Sequence, residues 1–173
     1  MDSDNINITE EIPGNVTVFG GEEICEGETS TVTFSFDGLL PWSLEFTDGN
    51  VNKTISTIND PTFIYNTIES GLFLVTSAQD INGCIANYSG SAEIIVNPLP
   101  LPVITPNYYE IYPGENIMLS TDDDDYYYYE WYSQDHFLLD TLSLYNVSDS
   151  GSFYVSVINE NGCQANSQLA IVN

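Results

Sequence analysis

Basic residues are almost missing from this chain. Lys53 stands alone against 26 acidic residues, which leaves a formal net charge of −25 over 173 residues. A field of that sign repels phosphate backbones, and no Lys or Arg cluster is present to displace counterions, so nucleic-acid binding is excluded. Anionic membrane surfaces are disfavoured for the same reason. Two accounts of the acidity stay open: a salty exterior, where screening shortens the repulsion, and specific cation binding. With so few cations, stability is expected from packing and crosslinks.

Long apolar runs are also missing. None approaches the roughly 20 residues that a membrane-spanning helix needs, so no membrane insertion is expected. The start, Met1-Asp2-Ser3-Asp4-Asn5, has neither the basic stretch nor the apolar core of a secretory leader, and an excised or processed secreted segment is the expectation. Histidine occurs once, as His136, beside Asp135 and near Ser133 in a polar turn. Neighbours in sequence seldom form a triad, and paired carboxylates are too common here to be diagnostic, so the chain is read as no enzyme.

What is present is a sentence written twice. Glu69-Ser70-Gly71-Leu72-Phe73-Leu74-Val75 is followed by Asn82-Gly83-Cys84, and Asp149-Ser150-Gly151-Ser152-Phe153-Tyr154-Val155 by Asn161-Gly162-Cys163. Each copy closes alike, on Ile94-Ile95-Val96-Asn97 and on Ala170-Ile171-Val172-Asn173. A tandem pair of β-domains follows, of the kind cut from a longer array.

Alternation at period two supports strands throughout. Val32, Phe34 and Phe36 alternate with Thr31, Thr33 and Ser35, and Trp42, Leu44 and Phe46 with Ser43 and Glu45. Asp48-Gly49, Asn82-Gly83, Pro113-Gly114 and Asn161-Gly162 punctuate them as turns. In the second copy Tyr127, Tyr129 and Trp131 are expected on the inward face, with Tyr128, Glu130 and Tyr132 outward. Each copy is expected to pack two sheets around an indole, Trp42 or Trp131. The fold class is all-β: two tandem immunoglobulin-like sandwiches, residues 14–97 and 103–173, after an N-terminal extension 1–13. Between them Pro98, Pro100 and Pro102 alternate over 98–102, a semi-rigid polyproline spacer.

Three cysteines are present. Cys25 and Cys84 bracket the first copy, and the second keeps Cys163 but has Tyr112 where its partner should stand. A Cys25–Cys84 disulfide and a lone thiol at Cys163 are therefore expected, the thiol buried and inert or, as the alternative, available to bridge another chain. That crosslink would close a loop of about 60 residues and contribute about 4 kcal/mol in the chain-entropy model. No cysteine pair has the close spacing of a zinc knuckle.

The segments Ile24-Cys25-Glu26-Gly27-Glu28-Thr29, Pro41-Trp42 through Asp48-Gly49, Asp80-Ile81-Asn82-Gly83-Cys84 and Val96-Asn97-Pro98-Leu99-Pro100 resemble immunoglobulin-like and PKD-like repeats. These are repeats of giant cell-surface adhesins of Bacteroidetes, the gliding-motility adhesins exported by the type IX pathway among them. The resemblance implies an extracellular, cell-surface filament of tandem sandwiches. Its partners would be neighbouring repeats, surface glycans or substratum, or the secretion and motility machinery. The Asp149-x-Gly151-x-Phe153-x-Val155 string also looks like the late strand of immunoglobulin-like domains, with Phe153 in place of the usual tyrosine and Val155 in place of the usual cysteine.

Three candidate sites remain. Asp122, Asp123, Asp124 and Asp125 offer hard oxygen ligands of the kind calcium takes, which would make calcium the chain's one cofactor; the alternative is a solvated turn, because adjacent side chains diverge on an extended backbone. Tyr126, Tyr128 and Tyr132 could stack on sugar rings, or serve an intersheet contact. Asp140-Thr141-Leu142 resembles the O-glycosylation motif of Bacteroidetes secreted proteins, which marks Thr141. A carbohydrate- or calcium-binding accessory module of a secreted protein, or secretion-system cargo, is the alternative to an adhesin repeat.

Overall fold

A computed structural model describes residues 12–122 and 126–173. Every regular element among them is a β-strand, so none is a helix long and apolar enough to cross a membrane. Two compact units divide between Val96 and Asn97.

Unit 1 holds β1 (Asn15–Gly20), β2 (Glu23–Cys25), β3 (Ser30–Asp37), β4 (Trp42–Thr47), β5 (Asn52–Ile58), β6 (Thr62–Thr67), β7 (Gly71–Gln79), β8 (Asn87–Gly90) and β9 (Ala92–Asn97). One sheet runs β6-β3-β1-β8 and the other β2-β9-β7-β4-β5. This is the pairing of an immunoglobulin-like sandwich, with early strands flanking β3 and late strands flanking β7. The period-two pattern decides which side chains meet between the sheets. Val32, Phe34 and Phe36 of β3 face Trp42, Leu44 and Phe46 of β4, all buried, and Phe34 lies 4.8 Å from Phe46 between ring centroids. Each such side chain contributes about 1.5–3 kcal/mol by leaving water.

Unit 2 holds β10 (Ile104–Thr105), β11 (Tyr108–Tyr109), β12 (Ile117–Thr121), β13 (Tyr128–Ser133), β14 (Leu138–Asp140), β15 (Leu144–Val147), β16 (Gly151–Ile158), β17 (Gln164–Asn166) and β18 (Ala170–Val172). Its sheets run β10-β12-β15 and β11-β18-β16-β13-β14, with β17 also on β16. The plan of unit 1 recurs with one change. In unit 1 the chain after the Asn82-Gly83 turn crosses to pair β8 in parallel with β1, Asn15 opposite Asn87; in unit 2 the corresponding β17 folds back on β16, Ser156 opposite Asn166.

Both indoles are core, as expected, but they do not hold equivalent places. Trp131 stands opposite Val155, whereas Val75, the matching valine of unit 1, stands opposite Phe46. Trp42 is opposite Ile58 and 5.6 Å from Phe36. Trp131 Nε1 donates to Leu142 O at 2.9 Å, while Trp42 Nε1 is buried with no hydrogen-bond partner among the described residues.

The repeated glycine and the repeated turn have local causes. A side chain at Gly71 would run into the carbonyl oxygen of Asp48, and one at Gly151 would sit 2.7 Å from Phe153 Cζ. In the turns, Asp80 Oδ1 accepts from Asn82 N and Cys84 N, both at 2.9 Å. Asn159 Oδ1 accepts from Asn161 N at 3.1 Å and from Cys163 N at 2.9 Å. Gly83 and Gly162 each take φ 80° there, a left-handed backbone that favours glycine.

One expectation is corrected. Tyr127 is 83% exposed and precedes β13; the inward residues are Tyr129 and Trp131 alone. The segment 97–103 is hydrogen-bonded to the rest of unit 2. Asn159 Nδ2 donates to Pro98 O at 3.0 Å, Val103 N to Asp122 Oδ1 at 2.9 Å, and Asp122 N to Val103 O at 3.0 Å. Prolines leave these carbonyls and the Val103 amide unpaired within their own segment, and the neighbouring turns supply the partners.

Candidate functional site

The expected disulfide is overturned. Cys25 and Cys163 are the disulfide-bonded cysteines. Sequence bracketing misleads because Cys25 and Cys84 belong to opposite ends of unit 1. Cys25 closes β2, which lies beside β9, and β9 meets the start of β7, Ile94 opposite Gly71. Cys84 follows the far end of β7, beyond the Gln79–Ile85 bridge. Eight residue steps at about 3.3 Å put roughly 26 Å between those ends, where a disulfide tolerates a Cα separation of at most about 7 Å. Cys163 is buried, as expected, but oxidised. The equivalence that exposed Tyr112 as a missing cysteine does hold. Cys25 N donates to Glu28 Oε2 at 2.8 Å and Tyr112 N to Glu115 Oε2 at 3.2 Å, in turns of one design.

Among the acidic candidates, Asp122 spends Oδ1 on the Val103 amide; Asp123, Asp124 and Asp125 lie outside the described residues. No group of three His, Cys, Asp or Glu among the described residues is placed to hold a metal. Thr141 is exposed in the turn after β14, where Asp140 Oδ1 accepts from Thr141 N at 2.7 Å and from Leu142 N at 3.1 Å.

The tyrosines separate. Tyr126 turns toward the core and meets Tyr129 edge-on, centroids 5.8 Å apart. Tyr128 and Tyr132 face outward on β13 with Glu130 between them, as expected. Pairing across the sheet brings them a companion the sequence reading missed. Tyr132 stands opposite Tyr154 of β16, and the two rings stack at 5.2 Å and 15°. His136 Nδ1 lies 2.8 Å from the Tyr154 hydroxyl, with its ring edge-on to Tyr154 at 5.8 Å. The outward phase of Tyr154 was readable from Phe153 and Val155 on either side; its contact with Tyr132 needs the register of β13 against β16.

Electrostatics on this face are mild. Tyr132 donates to Glu130 Oε2 at 2.8 Å, and that hydrogen bond to the carboxylate raises the phenol above its ordinary 10. Beside Tyr154 a groove of about 280 Å³ is lined by Gln134, His136, Tyr154, Asn166, Ser167 and Leu169. His136 has a tyrosine hydroxyl rather than a carboxylate at Nδ1, an arrangement for holding a ring in place rather than for activating a nucleophile.

No protein-family model and no curated protein sequence matches the chain. Among solved structures, it is similar to a chain titled for host cell surface retention of a 1.5-MDa bacterial ice-binding adhesin. The identity is 14%, over 95% of this chain and 66% of that one, with a TM-score of 0.47. It is also similar to the N-terminal four Ig domains of Dscam1 isoform 8.4, at 12% identity over 99% of this chain and 45% of that one, TM-score 0.39. The N-terminal eight Ig domains of Down Syndrome Cell Adhesion Molecule isoform 1.30.30 align at 15% identity over 90% of this chain and 25% of that one, TM-score 0.38. The chain spans less than half the length of these Ig-domain chains. These are similarities of fold at most.

Proposed function

We propose that this chain is a repeat segment of a large extracellular adhesin or filament, a spacer and surface-contact module serving adhesion or gliding motility. The observation that carries the reading is the recurrence of one immunoglobulin-like plan in both units. It extends to the Asx turn before Cys84 and Cys163 and to the glutamate-capped turn at Cys25 and Tyr112. Recurrence of this detail is what tandem repeats produce, and the resemblance to adhesin repeats in the sequence points the same way. A disulfide suits an oxidising, extracellular setting. The acidic surface suits a solvated stalk that stays apart from its neighbours. Its partners would then be adjoining repeats and a substratum or surface glycan.

An antibody against this segment tests the reading on cells that make the protein. A very large band in whole-cell lysate, together with labelling of intact cells, is the expected result. A small band released into the medium would overturn it in favour of a secreted accessory module.

A further inference from the structure

We infer that the groove beside Tyr154 is a binding site for a neutral pyranose ring, a site that goes beyond the spacer reading. Tyr154 has two faces. Tyr132 covers one from the β13 side, at 5.2 Å and nearly parallel. On the other side of β16 lie Asn166 and Ser167, and they line the groove with Tyr154, Leu169, Gln134 and His136. The Tyr154 ring is thus an aromatic part of the groove's lining, between residues from both sides of β16. An aromatic wall of this kind takes the apolar C–H face of a sugar, and the rest of the lining supplies what the sugar's hydroxyls need: amides at Gln134 and Asn166, a hydroxyl at Ser167, an imidazole at His136.

Charge selects among sugars. None of the six lining residues is acidic or basic apart from His136, and the chain carries a formal net charge of −25, so sialylated, sulfated or uronic sugars are repelled and neutral hexoses are not. The groove is also pre-shaped. His136 has φ 64°, the one non-glycine residue among those described with a left-handed backbone. Conformations of this kind cost energy and persist where surroundings hold them. Here the holding contacts are His136 N donating to Ser133 O at 2.9 Å and Nδ1 at 2.8 Å from the Tyr154 hydroxyl. The result is an imidazole fixed at the rim beside the aromatic wall.

His136 is the only histidine, so its ring C–H resonances report on the site without overlap, and the Leu169 methyls give a second signal. We would titrate the whole 173-residue chain by NMR with methyl β-glucopyranoside, methyl β-galactopyranoside and N-acetylglucosamine. Saturable shifts of both reporters by at least one probe are expected, lost in Tyr154→Ala and weakened about tenfold in His136→Gly, read at Leu169. The backbone at residue 136 accepts glycine, so that variant decides the matter should Tyr154→Ala fail to fold. Absence of shifts with all three probes, or shifts that persist undiminished in both variants, would overturn the proposal.

Discussion

Nζ of Lys53 lies 2.6 Å from Oδ2 of Asp48, the only ion pair among the described residues and the place where the chain spends its single Lys. The carboxylate is nearly buried, its side chain 8% exposed. Its other oxygen accepts from Asn50 N at 2.9 Å and Val51 N at 2.7 Å, closing the β4–β5 turn. The Lys53 ammonium also sits 5.8 Å from the centroid of the Tyr65 ring.

Removing the cation therefore strands a buried charge. Lys53→Met is expected to cost unit 1 about 1–3 kcal/mol. For a domain of this size that is about 4–8 °C in Tm for each kcal/mol, read by calorimetry. A melt within a degree of the parent would show that the pair contributes nothing net.

The same carboxyl gives unit 1 an acid-sensitive term. The hydrogen bond from Lys53, then those from Val51 and Asn50, lower Asp48 from 3.8 to about 2. With the folded value depressed, the stabilisation is complete above the unfolded pKa and is lost as pH falls from about 4 through about 2. Melting curves of the parent and of Asp48→Asn should accordingly converge over that window. Parallel curves would contradict the assignment.

The two repeated glycines should respond unequally. Gly71→Ala drives a methyl into the Asp48 carbonyl, a backbone atom pinned in its turn, and is expected to cost about 1–3 kcal/mol. Gly151→Ala meets the rim of the Phe153 ring, which can tilt, and should cost less. Chemical denaturation of the two variants ranks them, and the reverse order would sink this account of the motif.

Cysteine chemistry supplies a direct check. Peptide mapping should find Cys25 and Cys163 resistant to iodoacetamide in the unfolded, unreduced chain and reactive after reduction. Alkylation of either one before reduction would contradict the structure.

Several of these features were legible in the residues alone. Alternation placed Phe34, Phe46, Trp42 and Trp131 in the core because period two has one solution when polar and apolar residues take turns. The Asn-Gly turns were legible because their backbone needs glycine. Tyr127 was misplaced because four tyrosines in a row carry no contrast from which to read a phase. The disulfide was misread because Cys25 and Cys84 bracket a unit in sequence, while the length of β7 sets them at its two ends. Tyr154 and His136 escaped notice as a pair because 18 residues separate them, and only the register of β13, β14 and β16 brings them together.

The edge where β11 meets β18 has a mechanical meaning. The two strands run parallel, Tyr108 opposite Ile171. They are joined by Ile171 N to Asn107 O at 2.9 Å, Asn173 N to Tyr109 O at 2.9 Å and Ile111 N to Asn173 O at 2.7 Å. One strand comes early in unit 2 and the other late, so tension along the chain pulls them in opposite directions past each other. Hydrogen bonds loaded in that direction are sheared together, whereas those of an antiparallel hairpin pulled at its open end unzip in succession. Were unit 2 pulled by its two ends, the load reaching β11, after β10, and β18 would fall on these bonds together, through backbone groups that any side chain could carry.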